Sequence, residues 1–377
     1  MSIKLGIIGG GQLAWMMGDA AKKLGVELIV QTPNQDDPAV SIAQKTVFAA
    51  VDDAAATEIL ASKCNIITFE NEFVNLDALY LLEKQGVCFR PRLAALSPLL
   101  DKYHQRCYLQ DLGLPVPQFF ALENPEDIQT KIENWDFPIV LKARRHGYDG
   151  QGTFVVHDVA NLLTVVNQNS TQLLVEEFVP FAKELAIIAA RSVNGEIITY
   201  PVVETQQEQQ VCRRVIAPAD ITPQQAAEIQ AIAHTLLNSL QAVGVFGIEL
   251  FITANGKILV NEIAPRTHNS GHFSLDACET SQFEQHLRAV CGLPLEDTQL
   301  NCSSAVMVNL LGYENSHSSY QNQRQHLAKI PHSHLHWYGK TESRPGRKLG
   351  HITVLLQQQN QHTALDIIDK IESIWYP

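Results

Sequence analysis

Residues 246–272, FGIELFITANGKILVNEIAPRTHNSGH, constrain this chain more than any other stretch. Two β-rich runs, 246–253 and 257–263, flank Asn255-Gly256, a two-residue hairpin signal. A hairpin puts Glu249 and Glu262 on neighbouring strands, in the half away from the turn. Counting back from that turn calls for a bulge or diagonal offset. Asn261 adds an amide oxygen. Two carboxylates and an amide oxygen suit a hard divalent cation such as Mg²⁺, which bridges carboxylates to substrate phosphates. The plain alternative is a pair of strand glutamates facing water. Pro265-Arg266-Thr267-His268-Asn269-Ser270-Gly271-His272 weighs against it. A cation, two imidazoles and small hydrogen-bonding groups follow directly on the carboxylates, a layout suited to an anionic substrate beside a metal.

The chain has 377 residues, enough for two or three domains of ordinary size. A hydrophobic content of 45% excludes wholesale disorder. A formal net charge of −12 speaks against nucleic acid as a bulk partner, though not against a local basic pocket. The 7 cysteines are odd in number, scattered and without a Cys-x-x-Cys pair. They read as reduced thiols rather than a disulfide frame or zinc site. The N-terminus runs straight into a strand and no apolar run reaches membrane-spanning length. No signal peptide and no membrane partner are therefore expected, and a cytoplasmic location is.

Residues 3–8 form an apolar strand running into Gly9-Gly10-Gly11-Gln12-Leu13-Ala14, then a helix to about Leu24 and a strand at 26–30. This β-α-β opening sets backbone N–H groups at a helix N-terminus, where a phosphate can sit. The glycine spacing departs from G-x-G-x-x-G at Ala14, and the second strand ends Gln31-Thr32-Pro33 without a ribose-binding acid. A dinucleotide, a phosphate monoester and a bare tight turn all stay open. Further units follow at 46–50, 53–62, 66–69 and 76–84. Glu70 and Glu72 close the strand at 66–69, on the same sheet edge as the glycine turn. A break at Ser97-Pro98 marks the first domain boundary.

A helix at 100–112 carries Lys102 and Arg106 on one face. The buried strand 138–142 ends in Lys142 and leads into Arg144-Arg145-His146-Gly147-Tyr148-Asp149-Gly150-Gln151-Gly152-Thr153, a glycine-rich loop whose amides can close over phosphates. It lies between two strands, so it is not a Walker loop. A strand 154–156, a helix 159–167, a strand 173–179 and a β run 184–191 follow.

These residues carry a resemblance. The chain resembles the ATP-grasp enzymes and, more closely, the bacterial 5-(carboxyamino)imidazole ribonucleotide synthases of purine synthesis. The matching stretches are Gly9 to Leu13, Gly147 to Gly150, Val175-Glu176-Glu177, Glu249, Asn261 to His272, His336-Trp337-Tyr338-Gly339-Lys340, and Arg344-Pro345-Gly346-Arg347-Lys348-Leu349-Gly350-His351. They span nearly the whole chain in order. The resemblance implies an α/β and α+β architecture: a Rossmann-like domain at 1–98, an ATP-grasp domain at 99–300 with a lid at about 115–180, and a small β-rich domain at 301–377.

It also implies roles. Lys102 and Lys142 would hold ATP phosphates under a lid of Gly147, Tyr148, Asp149, Gly150, Gln151, Gly152 and Thr153. Glu176, Glu177, Phe178 and Val179 would meet the adenine and Glu184 the ribose. Glu249 and Glu262 would bind Mg²⁺, with Asn261 alongside. Gly11, Gln12, Leu13, Glu72, Tyr148, Asp149, Arg266, His268, Asn269, Ser270, Arg347 and Lys348 would form the side for 5-aminoimidazole ribonucleotide and bicarbonate. Of these, Asp149, Tyr148, Arg266 and Lys348 are the catalytic candidates, Asp149 for proton transfer. The implied reaction phosphorylates bicarbonate to carboxyphosphate and carboxylates the exocyclic amine of the ribonucleotide, in a homodimer. A formate-using ribonucleotide transformylase shares the metal and lysine set and is the alternative.

Three positions depart from the family pattern. Gln151 stands where Arg or Lys is usual, so Arg144 or Arg145 is expected to supply the charge. Thr205 and Gln207 replace Asn and His, and Trp15 replaces Arg. Helices at 221–241 and 282–291 bracket the hairpin. Strands at 305–311, 335–338 and 349–355 and a helix from Thr363 close the chain. His332, His334 and His336 alternate along a strand. With no carboxylate or thiolate to complete a set, they read as packing or surface histidines rather than metal ligands.

Overall fold

A computed structural model describes residues 2–123, 128–145, 147, 152–169 and 171–376. Among the described residues, seventeen strands fall into three sheets. The first is parallel and built from Ile3–Ile8 (β1), Val26–Thr32 (β2), Lys45–Phe48 (β3) and Ile66–Phe69 (β4), in the order β3-β2-β1-β4. β1 and β4 are largely apolar, Lys4 and Thr68 being the exceptions, as suits a parallel sheet covered on both faces. The helix expected up to Leu24 is two pieces, Gln12–Trp15 and Gly18–Leu24, broken where Met16 and Met17 turn into the core.

The second sheet is antiparallel: Phe119–Leu122 (β5), Ile139–Ala143 (β6), Thr153–Val156 (β7) and Leu173–Glu177 (β8), in the order β5-β8-β6-β7. It has its own core around Leu141, Leu162 and Val175. The third sheet has nine strands. They are Phe181–Arg191 (β9), Ile197–Thr199 (β10), Val203–Glu208 (β11), Val211–Ala217 (β12), Gly244–Thr253 (β13), Ile258–Ala264 (β14), Ser304–Leu311 (β15), Ser333–Trp337 (β16) and Lys348–Leu356 (β17). The order is β14-β13-β9-β11-β12-β15-β17-β16, with β10 beside β9. The C-terminal strands thus continue the central sheet through the β12–β15 pair, while the helix Gln361–Trp375 closes a separate core around Trp375.

The β13–β14 hairpin places Glu249 directly opposite Glu262. The register then slips, so Leu250 pairs with Val260 and Asn261 is the extra residue of a bulge. The turn is longer than the two residues expected. Gly256 N–H donates to Thr253 O at 2.8 Å and Gly256 has φ +82. That is a turn closed by a left-handed glycine, the usual three-residue hairpin loop.

The N-terminal sheet is fastened to the central one by the helix Gln282–Cys291. Phe283, Leu287 and Val290 enter the N-terminal core. His286 lies wholly buried between them, its Nδ1 accepting from Val245 N–H at 3.1 Å and its Nε2 lying 2.8 Å from Thr68 Oγ1. The first bond leaves the ring proton on Nε2, which donates to Thr68, and burial pushes the imidazole's pKa down to about 4. Among the described residues no helix is long and apolar enough to cross a membrane.

Candidate active site

All three sheets open onto one cleft of about 2210 Å³. From the N-terminal sheet it receives the turns after β1 and β4, at the carboxyl edge of parallel strands. Glu249, Asn261 and Glu262 on the hairpin form the floor, with Lys102 and Lys142 beside them. Lys102 opens the helix Lys102–Asp111, and its ammonium lies 2.5 Å from Glu262 Oε2. Lys142 ends β6 and reaches Asn261 Oδ1 at 3.0 Å and Glu176 Oε2 at 2.7 Å. Asn261 Nδ2 donates in turn to Glu249 Oε2 at 3.4 Å.

Charge and burial set these groups apart. Burial, helped by the charge of Glu262, pushes the Glu249 carboxyl up to about 7. Burial would also raise Glu262, but the Lys102 ammonium, with Lys142 and Arg106 behind it, outweighs that and holds its pKa below the ordinary value. Glu184 on β9 is pushed up to about 7 by burial and then by Glu249. Glu176 goes the other way. Burial opposes its ionisation, yet the charges and hydrogen bonds of Arg106 and Lys142 bring it to about 2. Its carboxylate, at 3% exposure, is therefore the counter-ion of two cations at the cleft's edge. Glu177, Phe178 and Val179 do line the cleft.

The far side of the cleft gathers Gly11, Gln12, Leu13, Glu72, Arg266, His268, Asn269, Arg347 and Lys348. Arg266 grips Glu72 with two nitrogens, one reaching Oε1 at 3.2 Å. His268 Nε2 lies 3.3 Å from Glu249 Oε1, and its Nδ1 lies 2.8 Å from the Ser270 hydroxyl. Ser270 is 1% exposed and sits behind His268, which it orients, rather than on the cleft wall. Gly147 and Thr153 reach the cleft; Gly152 accepts from Ala143 N–H behind it. His146, Tyr148, Asp149, Gly150 and Gln151 lie outside the described residues.

Several residues at the site had no specific role assigned from the sequence. Glu70 is the clearest. Its carboxylate accepts from the Gly11 and Leu13 amides, filling the anion pocket that the glycine turn offered to a phosphate. A Cβ on Gly11 would fall on that carboxylate, which accounts for the glycine. Burial pushes Glu70 up to about 7 despite Arg266, those amides and Lys340. Lys340 donates to Gln12 Oε1 at 2.9 Å, tying the C-terminal basic loop to the N-terminal turn. Asn309 on β15 exchanges two amide hydrogen bonds with Asn269, at 2.7 and 3.0 Å. The adjacent Glu70-Asn71-Glu72 run and the Tyr-Gly-Lys motif were the available signals; for Asn309 there was none.

The arginines expected to replace a cation at position 151 are differently disposed. Arg144 is 13% exposed, with its guanidinium on Asp101 at 2.9 Å and over the Tyr103 ring. Asp101 caps the helix that begins at Lys102, so Arg144 steadies that lysine. Arg145 is 61% exposed and 3.5 Å from Asp101. Arg144→Ala should therefore lower the denaturation midpoint, whereas Arg145→Ala should leave it unchanged; urea melts of both variants check this.

The alternating histidines do find a carboxylate. Asp276 lies 3.5 Å from His334 and 2.9 Å from His336. Asp276, His336 and His351 come within metal-ligand range of one another. However, the His336 and His351 rings stack 4.6 Å apart with a 15° interplanar angle. Their lone pairs run along near-parallel planes instead of converging on one ion. The cluster docks β16 and β17 onto the helix Ser274–Ala277.

Comparison with known proteins agrees with this geometry. Residues 2–98 match the ribonucleotide synthetase preATP-grasp domain, residues 107–283 the ATP-grasp domain, and residues 305–364 the phosphoribosylaminoimidazole carboxylase C-terminal domain. The chain is 52% identical to an N5-carboxyaminoimidazole ribonucleotide synthase of Synechocystis, over 99% of this chain and 98% of that one. It is 54% identical to one of Synechococcus elongatus, over 98% and 95%. Among solved structures, an ADP complex of N5-carboxyaminoimidazole ribonucleotide synthetase superposes with a TM-score of 0.92 at 36% identity, covering 99% of this chain and 97% of that one. The Aspergillus clavatus enzyme in complex with ADP and 5-aminoimidazole ribonucleotide gives 0.90 at 28%, covering 99% and 98%. With three family domains matched in order and relatives above half identity along the full length, the chain belongs to the N5-carboxyaminoimidazole ribonucleotide synthases, within the ATP-grasp ligases.

Proposed function

We infer that this chain carries out the ATP-dependent carboxylation of 5-aminoimidazole ribonucleotide to the N5-carboxyamino product, and that bicarbonate is the carbon source. The observation that carries the site reading is the facing Glu249–Glu262 pair with Lys102 and Lys142 beside it. The donor set of two carboxylates and the Asn261 amide oxygen fits Mg²⁺, a hard cation that takes oxygen ligands. Glu249, Glu262 and Asn261 would hold it. Bound there with nucleotide, it would neutralise charge on the transferring phosphoryl group.

The chain's own groups do the rest. Lys102 and Lys142 position the phosphates as point charges. A bicarbonate oxygen attacks the terminal phosphorus and ADP leaves; the exocyclic amine of the ribonucleotide then takes the carboxyl group, directly from carboxyphosphate or through CO₂ released in the closed pocket, as inorganic phosphate departs and the amine gives up a proton. Arg266 and His268 border the bicarbonate. Arg347, Lys348 and Lys340 hold the ribonucleotide phosphate, and Glu72 lies on the same side. Glu70 occupies the glycine-turn amides, which supports placing the phosphate at the C-terminal loop. Asp149 is assigned the proton transfer. Closing the four-stranded sheet over the cleft keeps water from carboxyphosphate. The domains divide at 98 and 300, with the lid at about 115–180; a homodimer and a cytoplasmic location complete the proposal.

Phosphate release with ATP, Mg²⁺ and bicarbonate, with and without the ribonucleotide, tests this reading. Release that depends on formate instead of bicarbonate would establish the transformylase alternative. Lys348→Ala should raise the KM for the ribonucleotide by about ten-fold or more and that for ATP far less, the scale of losing one charged phosphate contact. An equal rise in both would move Lys348 from substrate binding to closure.

A further inference from the structure

We propose that Lys102 is a resident counter-cation that holds Glu262 closed to free divalent metal, so that the metal enters only together with nucleotide. The proposal rests on the functional reading above and adds an order of binding to it. Each residue of the metal set has an oxygen contacted by a group of the chain itself. Lys102 Nζ lies 2.5 Å from Glu262 Oε2, Lys142 Nζ 3.0 Å from Asn261 Oδ1, and His268 Nε2 3.3 Å from Glu249 Oε1. Lys102, Lys142, Glu249 and Glu262 are together formally neutral. The Arg106–Glu176 pair behind them is neutral as well.

A free divalent cation entering this arrangement has to displace a hydrogen-bonded ammonium. It also adds two positive charges beside Lys102 and Lys142 in a site only partly open to water, Lys102 itself being 16% exposed. A polyanionic nucleotide reverses the balance. Its phosphates offer Lys102 and Lys142 new charge-assisted partners and free Glu262 for the metal. The backbone of Lys102 does not need to move. Its N–H donates to Arg144 O at 2.9 Å, and its cap Asp101 accepts from Arg144 Nε at 3.0 and 3.1 Å. The exchange needs only the flexible four-carbon stem to swing from Glu262 into the cleft that it lines.

Mn²⁺ binding followed by electron paramagnetic resonance tests this without turnover. Nucleotide-free protein should bind free Mn²⁺ weakly. Lys102→Met should bind free Mn²⁺ about ten-fold more tightly or better, the scale of removing one competing charge pair, while its affinity for Mn²⁺ with a non-hydrolysable ATP analogue falls. Lys102→Arg, which keeps the charge, should retain the weak binding of the native protein. Adding Glu262→Gln to Lys102→Met should abolish the gain. Free Mn²⁺ affinity unchanged or lowered in Lys102→Met, or a gain that survives Glu262→Gln, overturns the proposal. Failure of the native protein to bind Mn²⁺ with the analogue overturns the metal-site reading as well, and so separates the two.

Discussion

Glu249→Gln and Glu262→Gln are each expected to cut turnover by at least about 10²-fold, the cost of removing one charged group that stabilises a transferring phosphoryl group. The substitution keeps volume and a hydrogen-bonding head, so packing on the hairpin is retained. The two variants should part company in stability. Glu262 is paired with Lys102, and its loss leaves that ammonium, 16% exposed, without its carboxylate. Glu249 is a carboxyl that burial and Glu262 push up to about 7. Its folded-state value lies above the ordinary 4.5, so ionised Glu249 works against the fold, increasingly as pH rises from 4.5 towards 7. Glu249→Gln should therefore unfold no earlier than the native protein in urea at pH 8 while losing activity, a trade that metal sites commonly show. Near-native phosphate release by a folded variant would remove that glutamate from the metal set.

Glu176→Gln should produce the other large effect, and on stability first. Glu176 neutralises Arg106 and Lys142 at 3% exposure, and removing one member of such a buried set costs about 3–5 kcal/mol because the remaining charges stay buried. Its carboxyl is depressed from 4.5 to about 2. A depressed carboxyl contributes stability that is fully present above pH 4.5 and is lost as the pH falls towards 2. The variant should show a large drop in urea midpoint at pH 7 and a much smaller drop near pH 2. A uniform drop at both values would trace the effect to packing instead of charge.

Local pattern made much of the fold legible. The strands Ile3–Ile8 and Ile66–Phe69 and the helices Leu76–Lys84 and Gln282–Cys291 have the bounds read from the sequence, and Asn75 and Ser281 cap the two helices with their own side chains. Apolar periodicity and capping chemistry are written within a few residues of each other. The bulge between Glu249 and Leu250 was legible for the same reason, as a mismatch in counting back from the turn.

What could not be read depends on partners far away in sequence. Asp276 meets histidines 58 and 60 residues later, as the pairs Asp276–His334 and Asp276–His336. Glu70 was placed on the right sheet edge, but that its carboxylate would take the amides of the glycine turn follows only from the β1–β4 pairing. Glu176 sits in a motif associated with adenine, and its side chain is claimed by Arg106, 70 residues earlier in the chain. In each case the residue type was visible and its partner was not, because the contact closes a loop that no local periodicity encodes.

The buried His286 has a consequence for how this protein can move. With a pKa near 4 it stays uncharged at neutral pH, so both its bonds persist there and rivet strand β4 to strand β13 through a single ring. The cleft walls that β4 and β13 contribute are consequently pinned to each other. The sheet of β5 to β8 has a core of its own and takes no part in that rivet. One uncharged ring thus acts as a hinge pin that has been welded: it fixes the end of β4 against the strand that carries Glu249.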